Sequence, residues 1–247
     1  MVTSRKTAGA SAAARARELH TAGRRNRLIA RALIALVAAI TGWVIFGWKA
    51  ALVLALAAVA ADTVRVARRW DDAAAWRKGA AGERRTARLL RPLERAGYTV
   101  LHDRGLPGSR ANVDHLVIGP HGIAVIDTKN WGKNTRIVGG RFTGGRGRLF
   151  IGRFPARSKL GGITHETDVV TRALTRQLGH PVHVTAVVAI HGARRIRWGA
   201  LNVEGVTLLY ARTLRRWIRR LPARHDTATI AELATACDRL FPPYLPH

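Results

Sequence analysis

The hydrophobic pattern divides the chain into an apolar N-terminal stretch and a longer region of strands and helices. Positions 32–48 are uncharged and apolar, at the lower limit of a membrane span. Lys49 interrupts, and 50–61 is apolar again before Asp62 and Arg65. A single tilted helix would hold Lys49 near the bilayer centre, at a cost of roughly 2.5–3.5 kcal/mol. A hairpin turning at Gly47-Trp48-Lys49 instead sets Trp48 and Lys49 at the far interface, and both Arg-rich flanks, 24–31 and 65–69, on one side. The pattern therefore predicts a transmembrane hairpin over 28–66, with arms at about 31–47 and 50–65. The positive-inside rule makes the arginine side cytoplasmic. A cleaved leader fits less well, because the basic stretch and the apolar run are both too long.

Farther on, 80–96 has helical period. Glu83, Thr86, Ala87, Leu90 and Leu93 fall on one stripe, and Arg84, Arg88, Arg91 and Arg95 on another. Glu83 is thus the one charge on the more apolar stripe. A helix-start glutamate favoured by the macrodipole explains it better when it is taken alone. Pro92 is expected to kink or end this helix. Strands are predicted over 98–102, 113–118 and 123–129, and a second hairpin over 136–142 and 148–154 around a Gly/Arg loop. A helix follows over 163–177. The nearly all-apolar run 182–190 reads as a strand covered on both faces. A strand over 203–210 and helices over 211–221 and 226–240 complete the chain.

The stretch 111–131 carries the candidate chemistry. Its two strands meet at Gly119-Pro120-His121-Gly122. If Pro120 and His121 form the whole turn, residues whose numbers sum to about 241 are paired, and Asp114 faces Asp127. A bulge at Gly122 would shift that register by one. Side chains alternate, so Asp127 and Lys129 share a face with Ile123 and Val125. Opposed carboxylates destabilise a sheet, and two of them with a lysine suit a divalent cation held by hard oxygen ligands.

The net charge adds one constraint. The 247 residues carry a formal +27, with a pI near 11.9. A polyanion is the natural partner: nucleic acid or an anionic membrane face. Abundant Arg and Ala are also what a GC-rich coding sequence produces, so the charge does not choose a function. Cys237 is alone, which excludes an intramolecular disulfide and a multi-cysteine zinc site. Residues 1–27 read as a basic disordered tail, 67–78 as a basic linker and 222–247 as a C-terminal helix and tail. Arg194, Arg195, Arg197 and Trp198 fall in a loop able to touch nucleic acid or simply to be solvated.

Gly79-Ala80-Ala81-Gly82-Glu83 opening a helix, then Val113-Asp114-His115, then Ile126-Asp127-Thr128-Lys129-Asn130-Trp131, resemble the nuclease-related domain, NERD. That family is similar to the restriction-endonuclease-like superfamily with its D…(D/E)xK core. The resemblance covers about 79–221. It implies an α/β fold (an α+β mixed sheet) with a restriction-endonuclease-like core, here preceded by the transmembrane hairpin. It implies a catalytic set of Glu83, Asp114, Asp127 and Lys129. Asp114, Asp127, Glu83 and the Thr128 carbonyl would hold Mg²⁺ or Mn²⁺. Arg141, Arg146, Arg148 and Arg153 would contact the phosphates of nucleic acid, DNA ahead of RNA. The chain departs from the common form in having Asp rather than Glu at 127, and Gln177 sits late on the helix where a glutamine often serves. Two readings stay open: a membrane-anchored metal-dependent nuclease, and a non-catalytic membrane-tethered nucleic-acid-binding module or scaffold.

Overall fold

The computed structural model describes residues 8–21, 24–109, 111–132, 135, 137–139, 149–151, 154–155, 157–193 and 200–244. Its elements run α1 (Ala10–Thr21), α2 (Arg24–Phe46), α3 (Trp48–Glu94), β1 (Thr99–Gly105), β2 (Asn112–Gly119), β3 (Gly122–Asn130), β4 (Ile137–Gly139), β5 (Leu149–Ile151), β6 (Phe154–Pro155), α4 (Arg157–Leu178), β7 (Val184–His191), β8 (Ala200–Val203), β9 (Val206–Tyr210), α5 (Ala211–Ile218) and α6 (Thr227–Leu240). They form two compact units, Ala12–Arg77 and Met1–Ser11 with Lys78–His247.

In the first unit α2 ends at Phe46, and Gly47 takes a left-handed φ of 82° that only glycine adopts freely. The chain reverses there, and α3 begins at Trp48. Gly42 lies against Ala51, whose Cα would be 2.8 Å from any Cβ at 42, so the two arms touch by backbone. Arg31 Nε donates to Asp62 at 2.7 Å across them. The hydroxyls of Thr41 and Thr63 donate to carbonyls one turn back, which leaves the arms' surfaces apolar. Leu36, Val37, Trp43, Val44, Phe46, Trp48, Val53 and Leu56 are exposed. By length and composition, Ile29–Phe46 is able to cross a membrane. Among the described residues the second arm does not meet the same criterion.

Two stretches depart from their sequence reading. The disordered tail is helical over Ala10–Thr21, and the basic linker is part of the continuous α3. Composition argued for solvated coil, but neither stretch contains a proline and both are rich in alanine, the best helix former. Pro92 lies inside the last turn of α3 without ending it.

The second unit is built on a six-stranded mixed sheet, ordered β1-β2-β3-β7-β9-β8. β1, β2 and β3 are antiparallel, β3, β7 and β9 are parallel, and β8 is an antiparallel edge. The β2–β3 register runs from Gly119↔Gly122 to His115↔Ile126, so paired numbers sum to 241 and no bulge intervenes. Gly122 has φ 99°, and a Cβ there would stand 2.7 Å from the His183 carbonyl, so the tight turn requires glycine. One face buries Leu116, Ile118, Ile123, Val125, Val188 and Ile190 with Ile163, Val170 and Leu174 of α4 and Leu233 and Cys237 of α6. The other buries Val117, Ala124, Ile126, Val187 and Ala189 with Leu90 and Leu93 of α3 and Leu214 and Ile218 of α5. β7 is covered on both faces, which is why its sequence does not alternate. A separate small sheet orders β4-β5-β6.

Candidate active site

The site lies at the C-terminal end of β3, where elements from both faces of the sheet meet. α3 is fixed there by small and polar contacts. A Cβ at Gly82 would fall 2.9 Å from Asn130 Cβ and 3.3 Å from Thr128 Cγ2, so glycine lets the helix sit directly on the strand. Thr128 Oγ1 donates to Thr86 Oγ1 at 3.1 Å, and Thr86 Oγ1 lies 2.9 Å from His191 Nε2. Asn130 Nδ2 donates to the Lys78 carbonyl at 2.7 Å. These contacts carry Glu83 to the strand end, where it is only 8% exposed.

β2 supplies Asp114, whose side chain reaches the backbone of β3. The β2–β3 ladder ends at His115↔Ile126, one residue short of Asp114 and Asp127. Asp114 Oδ2 accepts the Thr128 N–H at 2.7 Å. That bond offsets part of the like-charge repulsion, which Asp127 still exerts on Asp114. Asp127 is 7% exposed, and its Oδ2 accepts from Lys129 Nζ at 2.9 Å. Asp127 and Lys129 share a face, as strand alternation predicts.

The electrostatics bring these groups together. Burial, then the charges of Asp103 and Asp127, push Glu83 up to about 7 against Arg84 and Lys129. Burial, then Glu83 and Asp127, hold Asp114 well above the ordinary carboxylate range, while the Thr128 amide pulls it back. For Lys129, burial acts downward, but the charge and hydrogen bond of Asp127 outweigh it and the ammonium is held above its ordinary value. Glu83 Oε2 is buried and makes no hydrogen bond among the described residues.

Two groups escaped the sequence reading. Glu166 of α4 is pushed up to about 8 by burial and by Asp127, with Lys129 opposing. It also acts on Asp114 and Lys129. It sits between Ile163 and Val170 on the inward stripe of α4, so the signal that singled out Glu83 was present. Gln177 is exposed farther along the same helix. Asp103, next to Glu83 electrostatically, is held by Ser11 N at 2.9 Å, Ser11 Oγ at 3.0 Å and Asn112 Nδ2 at 2.7 Å. Arg141, Arg146, Arg148, Arg153 and the arginine loop with Trp198 lie outside the described residues.

A hard divalent cation suits the donor set: the carboxylates of Glu83, Asp114 and Asp127 and the Thr128 carbonyl. The unbonded, buried Oε2 of Glu83 supports that fit. Among the described residues, however, no three acidic or imidazole groups are arranged to hold a metal. Asp127 accepts from Lys129 and Asp114 from the Thr128 amide, each through Oδ2, and the other oxygen of each carboxylate is not used by these bonds.

Residues 78–191 match the family model described as nuclease-related domain. The restriction-endonuclease-like resemblance of the motifs is consistent with that family, which uses nucleic acid and divalent metal in general. No curated protein and no solved structure matches the chain.

Proposed function

We propose, from the nuclease-related domain over residues 78–191, that this chain is a membrane-anchored, divalent-metal-dependent nuclease. The observation that carries the reading is the meeting of Glu83, Asp114, Asp127 and Lys129, from α3, β2 and β3, at one end of β3. Asp114, Asp127, Glu83 and the Thr128 carbonyl would hold Mg²⁺ or Mn²⁺. A divalent cation there supplies charge opposite the phosphoryl oxygens and lowers the pKa of a bound water.

The chain's own groups do the rest. In the hydrolysis, a water oxygen bonds to phosphorus and the ester P–O bond breaks. Glu166, which is outside the ligand set and whose proton affinity is raised, would take up the proton the water releases. Lys129 would offset the charge building on the phosphoryl oxygens. The departing alkoxide would take a proton from solvent. Arg141, Arg146, Arg148 and Arg153 would position the strand through its phosphates without reading bases. The exposed apolar surface of Ile29–Phe46 supports the membrane anchor, and the Arg-rich flanks support a cytoplasmic domain.

The competing reading, a non-catalytic nucleic-acid-binding module, draws on the Asp127–Lys129 pair, which ties up a required ligand. Cleavage decides between them. The full chain in detergent is assayed on plasmid and on single-stranded DNA and RNA, with Mg²⁺, Mn²⁺ or EDTA, beside Asp127→Ala. Metal-dependent cutting that D127A loses supports the nuclease; binding without cutting, equal in both proteins, supports the module.

A further inference from the structure

Alongside α3 lies a cavity of about 270 Å³ that the proposed chemistry does not use. Arg84, Ala87, Arg88, Arg91 and Glu94 line it from the helix, facing His102 of β1 and Ala8. The three arginines are exposed, at helical spacing on one stripe. Among the described residues none of them makes an ion pair. His102 is buried and fixed by its Nδ1 contact to His115 Nδ1 at 2.8 Å, which gives the groove a rigid side.

We propose that this groove is a phosphate track, in which Arg84, Arg88 and Arg91 hold the backbone of a nucleic-acid strand beside the carboxylate site. This rests on the nuclease reading and adds the path of its substrate. Three guanidiniums against one carboxylate leave the groove cationic, and arginine forks match phosphate oxygens bidentately. At a rise of about 1.5 Å per residue, Arg84 and Arg91 stand roughly 10 Å apart along the helix. B-DNA places one phosphate per strand about every 3.4 Å of its axis, so the stripe spans about three. Arg84 directly follows Glu83, so the track begins where the carboxylates are. That adjacency favours a nucleic-acid strand over a lipid surface.

The test uses the full chain in detergent with EDTA, and binding of a short DNA duplex measured across salt concentrations. The variants are Arg84→Gln/Arg88→Gln/Arg91→Gln, the charge-matched control Arg172→Gln/Arg176→Gln/Arg239→Gln, and Ala87→Trp, which fills the groove at constant charge. The groove triple should lower the slope of log K against log salt by about 2.7, at about 0.9 per phosphate contact. Ala87→Trp should weaken binding at least tenfold, and the control should keep the wild-type slope. Equal loss in groove and control triples, with wild type still cutting in Mg²⁺, overturns the track and leaves the nuclease standing. If wild type neither binds nor cuts, both fall. If the groove triple binds DNA as wild type does but no longer sediments with phosphatidylserine vesicles, the groove belongs to lipid and the inference is wrong.

Discussion

Glu83→Gln should make the protein more stable at alkaline pH and leave it nearly unchanged at pH 4.5. Glu83 is 8% exposed and its Oε2 has no hydrogen-bond partner among the described residues. Burial and the charges of Asp103 and Asp127 push Glu83 up to about 7 in the folded chain, from an ordinary 4.5 in the unfolded chain. A carboxyl with a raised folded pKa contributes its full stability below the unfolded value. That stability is lost as pH rises from 4.5 to 7, because the unfolded chain releases the proton first. The loss is about 2.5 pK units at roughly 1.36 kcal/mol each, or about 3 kcal/mol above pH 7. Glutamine keeps the shape and never ionises. At roughly 2–4 °C per kcal/mol for a chain of this size, E83Q should melt about 6–12 °C higher than wild type at pH 8. The assay is thermal unfolding of both proteins in detergent and EDTA at pH 4.5, 6 and 8. A gap that is the same at all three pH values, or wild type melting higher at pH 8, refutes the reasoning.

Gly82→Ala should place a methyl 2.9 Å from Asn130 Cβ, displace α3 from β3, cost about 1–3 kcal/mol by urea unfolding and reduce any cleavage with it. Arg104 is buried, and its Nη1 and Nη2 donate to the Phe241 carbonyl at 3.0 Å and Asp238 at 2.6 Å. Arg104→Met should cost about 1–3 kcal/mol and speed proteolysis after Phe241, read by mass spectrometry. Burial, then His183 and His225, lower His121 to about 4 from 6.5, so the unfolded chain binds the proton first and stability falls as pH drops through that window. His121→Leu should flatten the acid limb between pH 6.5 and 4 by about one proton in a Tm-against-pH profile.

Much of the frame was legible because local rules carried it. The turn at Gly119-Pro120-His121-Gly122 set the β2–β3 register, since two-residue loops leave no freedom in pairing. The unbroken apolar run of β7 announced a strand covered on both faces, and the glycine at 47 marked the reversal of the hairpin. What stayed hidden was non-local. Ser11 reaches Asp103 across 92 residues, and no periodicity links them. Glu166 was legible in principle, since a charge between Ile163 and Val170 obeys the rule that marks Glu83. The bond of the Asp114 carboxylate to the Thr128 amide was hidden too, because a side chain reaching a neighbouring strand's backbone leaves no mark in the alternation of residues.

In the proposed nuclease, Asp114 and Asp127 bind the divalent cation that cleavage requires, while Lys129 serves the reaction and not the ion. Titration calorimetry of Mn²⁺ into the full chain in detergent, with cleavage measured on the same samples, tests it most directly. Asp114→Asn and Asp127→Asn should lose both binding and cutting. Lys129→Ala removes the ammonium that lies 2.9 Å from Asp127 Oδ2, so it should bind Mn²⁺ at least as tightly as wild type and cut about 10²–10³-fold more slowly. Mn²⁺ binding unchanged in both Asn variants, or cutting that persists in either, would contradict the account.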